Sequence, residues 1–243
     1  MTILAWQRGG TDGGPAVVLI HGWASDGLSD FERTGWVAGL GRAGLSVYVP
    51  DLPGHGESAD ILLPPDAEPA AWTASAVTAD LDRLHVGNFA VCGYADGGTV
   101  AAHLAVRAPE RVHRLVLVGS DDRVEVPYAE EIAAVLRDPA ARLWHPAAAE
   151  TVARARADRR HHLPTLAQWV ERRRWPAAPR LGALRTPVML AVGAQDERRE
   201  RAPRLAQLFH DARLVTVPGD GRAALGAPEL VSQVARFLVP PAG

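Results

Sequence analysis

The order of apolar runs along this chain predicts an α/β fold: a mostly parallel twisted sheet flanked by helices, with a helical insertion. Three observations carry that expectation. Short runs that are apolar on both faces recur between helix-length segments, the pattern of parallel strands covered on either side. The run at 88–93 leads straight into a glycine-rich turn and then a helical pattern. Between Gly119 and Pro187 the alternation stops, and more than sixty residues pass with helical patterns and no convincing strand.

Taken in order, 15–21, 45–50, 88–93, 114–119, 187–192 and 213–217 are the expected strands, with 3–8 as an added edge strand. Helices are expected near 29–43, 72–85, 96–108, 199–210 and 228–238. Inside the long interval, helical stretches around 127–137, 147–160 and 163–174 form an insertion over the carboxyl edge of the sheet, where open α/β sheets bind ligands. The proline-rich stretch 59–70 reads as a surface loop near the same edge. The expected organisation is a core in two parts, 1–121 and 185–243, interrupted by a helical lid at 122–184.

Composition narrows the function classes. A chain of 243 residues with 47% hydrophobic content can build one full-sized core. Its 26 basic and 28 acidic residues leave a net charge of −2, so no global field points to nucleic acid or an anionic membrane. Every basic residue is arginine, which excludes Schiff-base lysine chemistry and a phosphate-loop lysine. Cys92 is the only cysteine and lies in an apolar run; it is expected to be a buried structural thiol, with no intrachain disulfide. No run approaches ~18 apolar residues, and the first residues lack the pattern of a signal peptide. The expectation is a cytoplasmic protein. No cysteine–histidine spacing suits zinc, so neither metal nor cofactor is expected.

Four short signatures stand at the ends of expected strands. His21-Gly22-Trp23 follows the first buried run, and Asp51-Leu52-Pro53-Gly54-His55-Gly56-Glu57-Ser58 the second. Gly93-Tyr94-Ala95-Asp96-Gly97-Gly98 follows the third, and Gly193-Ala194-Gln195-Asp196 the run after the insertion. Together, across nearly the whole chain, they resemble the α/β-hydrolase family, in its lidded branch of small esterases, haloperoxidases and lyases.

The resemblance implies roles residue by residue. The turn at Gly93–Gly97 corresponds to the Gly-x-Ser-x-Gly elbow that lifts a serine oxygen above the sheet. Here Ala95 holds the nucleophile position, and a methyl group attacks nothing. The backbone N–H groups of Trp23 and Asp96 correspond to the oxyanion hole, which depends on no side chain at position 95. Asp196 stands where the family keeps its acid. Arg222, in Val217-Pro218-Gly219-Asp220-Gly221-Arg222-Ala223, stands where the family keeps its histidine. A guanidinium stays protonated at any working pH and is no general base. The double departure favours a natural alanine over a laboratory serine-to-alanine exchange, and the triad is read as degenerate. An Asp196–Arg222 salt bridge is expected across the old triad position, either as structural glue or as a fixed charge for a substrate carboxylate or enolate.

Further candidates for substrate binding are His21, Tyr94, Asp121, Trp144 and Trp169; each also has a plain reading as packing, loop organisation or helix capping. The side chain of Asp96 is expected to lean away from the reacting carbon, toward a helix N-terminus. The arginines at 154–160 and 172–174 are expected to be solvated helix faces. Three functions stay open. One is a cofactor-free, non-hydrolytic enzyme of cyclase, lyase or isomerase type, acting on a hydrophobic small molecule through the oxyanion hole. Another is a non-catalytic binding protein that kept the pocket. The last is a serine esterase present as a Ser-to-Ala95 variant.

Overall fold

The computed structural model describes residues 3–123 and 125–239. The outer ends of the expected core and Val124 of the insertion lie outside the described residues. Seven strands form one sheet: β1 (Trp6–Gly10), β2 (Ala16–Ile20), β3 (Ser46–Pro50), β4 (Phe89–Tyr94), β5 (Val112–Val118), β6 (Val188–Gly193) and β7 (Ala212–Val217). Their order is β1-β3-β2-β4-β5-β6-β7. β1 runs antiparallel to β3, and every other pairing is parallel.

The two-sided apolar runs have the predicted cause. Val18, Ile20, Phe89, Val91, Leu115, Leu117, Val188 and Leu190 bury into the core on one face. Their neighbours Val17, Leu19, Ala90, Cys92, Val116, Val118, Met189 and Ala191 bury into the core on the other. Helices α2 (Pro69–Arg83) and α3 (Gly97–Arg107) cover the first face, and α1 (Trp36–Arg42) and α10 (Pro228–Leu238) the second. β7 closes one edge and is largely exposed along its length, as a strand with one neighbour should be.

Between β5 and β6 lie four helices: α4 (Ala129–Arg137), α5 (Pro146–Ala157), α6 (Leu163–Arg172) and α7 (Ala178–Gly182). They bring an apolar cluster of their own, with Ile132, Leu136, Val152, Leu166 and Val170 closing over Ala24 of the loop after β2. Two expected helices come out shorter. The segment 29–43 divides into an irregular turn at Leu28–Glu32 and α1, because Gly35 takes a left-handed φ of 82° between them. The segment 199–210 becomes a 3-10 turn at Glu197–Glu200 followed by α8 (Ala202–Ala206); Pro203 in the first turn of α8 suits a helix start and not an interior. The stretch after β7 that reads as an open loop contains α9 (Gly221–Leu225).

Candidate functional site

Ala95 joins β4 to α3 with a φ of 49°, in the left-handed region that costs any residue with a Cβ. The turn is held by backbone bonds: the Ala95 N–H donates to the Val118 carbonyl at 2.8 Å, and the Ala95 carbonyl accepts from the Gly98 N–H at 3.0 Å. The Ser120 hydroxyl donates to the same carbonyl at 3.1 Å. Glycine at 97 is required by close approach, since a Cβ there would strike the Ile20 and His21 carbonyls. The sharp elbow is therefore built in full around a side chain that ends at a methyl group.

The loops after β2 and β3 are locked to each other beside this elbow. The Leu52 N–H donates to His21 Nε2 at 2.9 Å, so Nε2 is the bare nitrogen and Nδ1–H donates to the Gly22 carbonyl at 2.8 Å. The Ala24 N–H likewise donates to His55 Nε2 at 3.1 Å, and His55 Nδ1–H donates to the Pro53 carbonyl at 2.9 Å. Burial first, then the neighbouring His21 and His161, hold the His55 imidazole well below its ordinary pKa. Both rings are fully buried, and backbone donors take the lone pair of each Nε2. In contrast, neither the Trp23 N–H nor the Asp96 N–H donates to a protein acceptor among the described residues.

Two cavities, of about 370 Å³ and about 730 Å³, share Trp23, Ala95, Asp96, Arg154 and Arg198 in their walls. Asp121 and Trp169 line the smaller one. The Trp169 indole N–H donates to the Pro53 carbonyl at 3.2 Å, and Asp121 pairs with Arg123 at 3.0 Å. Tyr94 and Arg222 line the larger one. Burial first, then the Asp30 carboxylate, push the Tyr94 phenol above its ordinary pKa.

Several expectations are corrected. Asp196 and Arg222 do not pair. The buried Asp196 carboxylate accepts from the Arg198 N–H at 2.9 Å and contacts Arg198 Nη1 at 3.2 and 3.3 Å. A partner two residues away in the same turn closes that ring locally. Arg222 instead reaches Asp30 Oδ1 at 2.6 Å and Ser25 Oγ at 2.9 Å, so its charge is already matched by a carboxylate. His21 touches neither cavity; its ring is engaged by Gly22 and Leu52. Trp144 is 70% exposed on the link between α4 and α5, under Arg142, and lines neither cavity. The Asp96 side chain does not cap α3: it makes no bond to the helix N-terminus and lies 2.8 Å from Arg173 Nε. Arg173 itself is buried, not solvated. Helical spacing carried the signal, since 173 falls on the same face of α6 as the buried Leu166, Trp169 and Val170.

The comparisons with known proteins agree with this fold. A family model described as the alpha/beta hydrolase fold matches residues 15–161. A pimeloyl-[acyl-carrier protein] methyl ester esterase of Nitrosomonas europaea is 41% identical over 111 residues, which is 45% of this chain and 39% of that one. A protein of the same name from Vibrio parahaemolyticus is 38% identical over 122 residues, 50% of this chain and 42% of its own. The chain thus matches only about two fifths of the length of these curated relatives. Among solved structures, a hydrolase from Pseudomonas aeruginosa PA01 superposes with a TM-score of 0.76 at 26% identity, covering 98% of this chain and 94% of that one. A thermophilic esterase from Thermogutta terrifontis gives 0.72 at 26% identity, covering 96% and 92%. With the elbow at Ala95, the paired loops after β2 and β3, and a family match over more than half its length, the chain belongs to the α/β-hydrolase family.

Proposed function

We propose that this protein is a cofactor-free, non-hydrolytic enzyme of cyclase, lyase or isomerase type, acting on a small molecule with a large apolar part. The observation that carries the reading is the pair of free backbone N–H groups, Trp23 and Asp96, beside a fully formed elbow that ends in alanine. In this reading they form an oxyanion hole, which stabilises developing negative charge on a carbonyl oxygen without a nucleophile. Trp23, Val126, Trp169 and Val170 in the wall of the smaller cavity support an apolar ligand. Helices α4–α7 act as the lid. No described helix is long and apolar enough to cross a membrane.

A second reading, a serine esterase that lacks only its serine, is favoured by the names of the relatives. One variant separates the two. Ala95→Ser places a hydroxyl at the elbow, but no imidazole of His21 or His55 has a free lone pair to activate it. The expected result is no labelling by a fluorophosphonate probe and no turnover of short aryl esters. Robust labelling and turnover would overturn the non-hydrolytic reading.

A further inference from the structure

The smaller cavity is lined by four carboxylates, and three are committed or peripheral. Asp121 pairs with Arg123 at 3.0 Å. Glu197 faces the same arginine at 3.5 Å and is mostly exposed, and Glu125 is exposed. Asp96 is also paired, with Arg173 at 2.8 Å, and differs in its place next to Ala95 in the chain and in both cavity walls. Its own N–H is one of the two free backbone donors. The imidazoles of His21 and His55 accept from backbone N–H groups; His161 shares the larger cavity with Ala95 and Asp96, but its Nδ1 contacts the Ala155 carbonyl and its Nε2 is shielded.

Arg173 holds Asp96 from the other side. Its Nε lies 2.8 Å from Asp96 Oδ1, and the side chain is 9% exposed. Among the described residues the polar partner of the Arg173 guanidinium is Asp96, reached through Nε. The terminal amino groups are not sealed off: of this guanidinium, Nε is the nitrogen both shielded from solvent and without a well-aligned acceptor. The Trp175 indole N–H, in the same cavity wall, is shielded and has no acceptor. A buried cation with open terminal donors, in the same cavity wall as an unanswered indole N–H, suits a ligand carboxylate.

We propose that Asp96 is the proton-transfer group of this site, and that Arg173 anchors a carboxylate on its substrate, a carbonyl compound with a C–H bond beside the carbonyl carbon. The proposal rests on the oxyanion-hole reading above. The Asp96 carboxylate takes the proton, the C–H electron pair becomes a C=C bond, and the carbonyl π pair moves onto oxygen under the Trp23 and Asp96 N–H groups. Return of the proton from Asp96 to the same carbon is exchange; return to another carbon of the conjugated system is isomerisation. Atoms and charge balance with no added reactant. Aspartate performs this kind of carbon-acid chemistry where an oxyanion hole faces it.

The test uses a matched pair of probes, 2-oxo-4-phenylbutanoate and 4-phenylbutan-2-one, which differ by the carboxylate. Binding is read from tryptophan fluorescence, and exchange at C3 in D₂O from proton NMR. The wild-type protein is expected to accelerate exchange of the oxo acid above the buffer rate. Asp96→Asn keeps the backbone donor and should lose that acceleration by about 100-fold or more while still binding the acid. Arg173→Gln should raise the KM for the oxo acid about tenfold or more and change the KM for the ketone far less, with partial rescue by Arg173→Lys. Saturable binding with no exchange, or full exchange in Asp96→Asn, overturns the assignment of Asp96 alone. Equal loss of both probes in Arg173→Gln overturns the anchor. If neither probe binds saturably, the oxyanion-hole reading fails, and the proposal with it.

Discussion

Arg222 Nη2 stands 2.6 Å from Asp30 Oδ1, which ties the segment after β7 to the loop that carries Gly22 and Trp23. The Asp30 carboxylate is fully buried and also accepts from the Gly22 N–H at 2.9 Å and the Ser25 hydroxyl at 2.7 Å. Arg222 is thus a brace for the proposed oxyanion loop. Arg222 is 58% exposed along its side chain, so solvent screens its share of the pair. Arg222→Ala is expected to cost about 1 kcal/mol. Asp30→Ala strands buried donors and should cost about 2–4 kcal/mol. Urea unfolding of the two variants checks the order; equal costs would show that the carboxylate is not the centre of the brace.

The elbow itself stores strain. Ala95 keeps a φ of 49°, a conformation that costs a residue with a Cβ roughly 1–2 kcal/mol and glycine almost nothing. Ala95→Gly recovers part of this against the greater freedom glycine gives the unfolded chain. The expected net effect is a gain of up to ~1 kcal/mol, read as a higher denaturation midpoint. A clear loss of stability would mean that the elbow is relaxed.

Stability should fall on mild acidification. The folded pKa of His55 is depressed, with burial as the largest cause. The unfolded chain therefore takes up a proton near pH 6.5 that the folded chain resists. The contribution is complete above about pH 6.5 and is lost progressively as pH falls from there toward the folded value. His55→Gln, if it folds, should flatten the melting temperature between pH 7 and pH 5 relative to wild type. An unchanged slope would assign the dependence to other groups.

Arg160 ties the α5–α6 corner to the core, meeting Asp26 at 2.6 Å, Asp158 at 2.6 Å and Glu57 at 3.1 Å. Arg160→Ala is expected to speed chymotryptic cleavage at the exposed Tyr128 and Trp144, with little change in the melting of the sheet. A digestion half-life equal to wild type would show that the insertion is held by its apolar cluster alone.

Much of the fold was legible because it is local. Strands β2, β4 and β6 announce themselves as two-sided apolar runs, and α6 as a face of Leu166, Trp169 and Val170. The elbow was legible because glycines at 93, 97 and 98 have few other uses in that order. Partner choice was not. Asp196 and Arg222 bear opposite charges at positions that invite a pair, yet Arg198 reaches Asp196 first and Asp30 claims Arg222.

The sequence alone determined the α/β-hydrolase scaffold, the absence of a hydroxyl at position 95 and of an imidazole at 222, and the exclusion of lysine chemistry. These follow from residue identity and from periodicities that each element carries by itself. Tertiary structure decided which charges meet: Asp30 with Arg222, and Asp96 with Arg173, residues 192 and 77 positions apart in the chain. Ion pairs over such separations depend on where the folded backbone delivers each side chain, and a linear pattern of charges holds no distance between them.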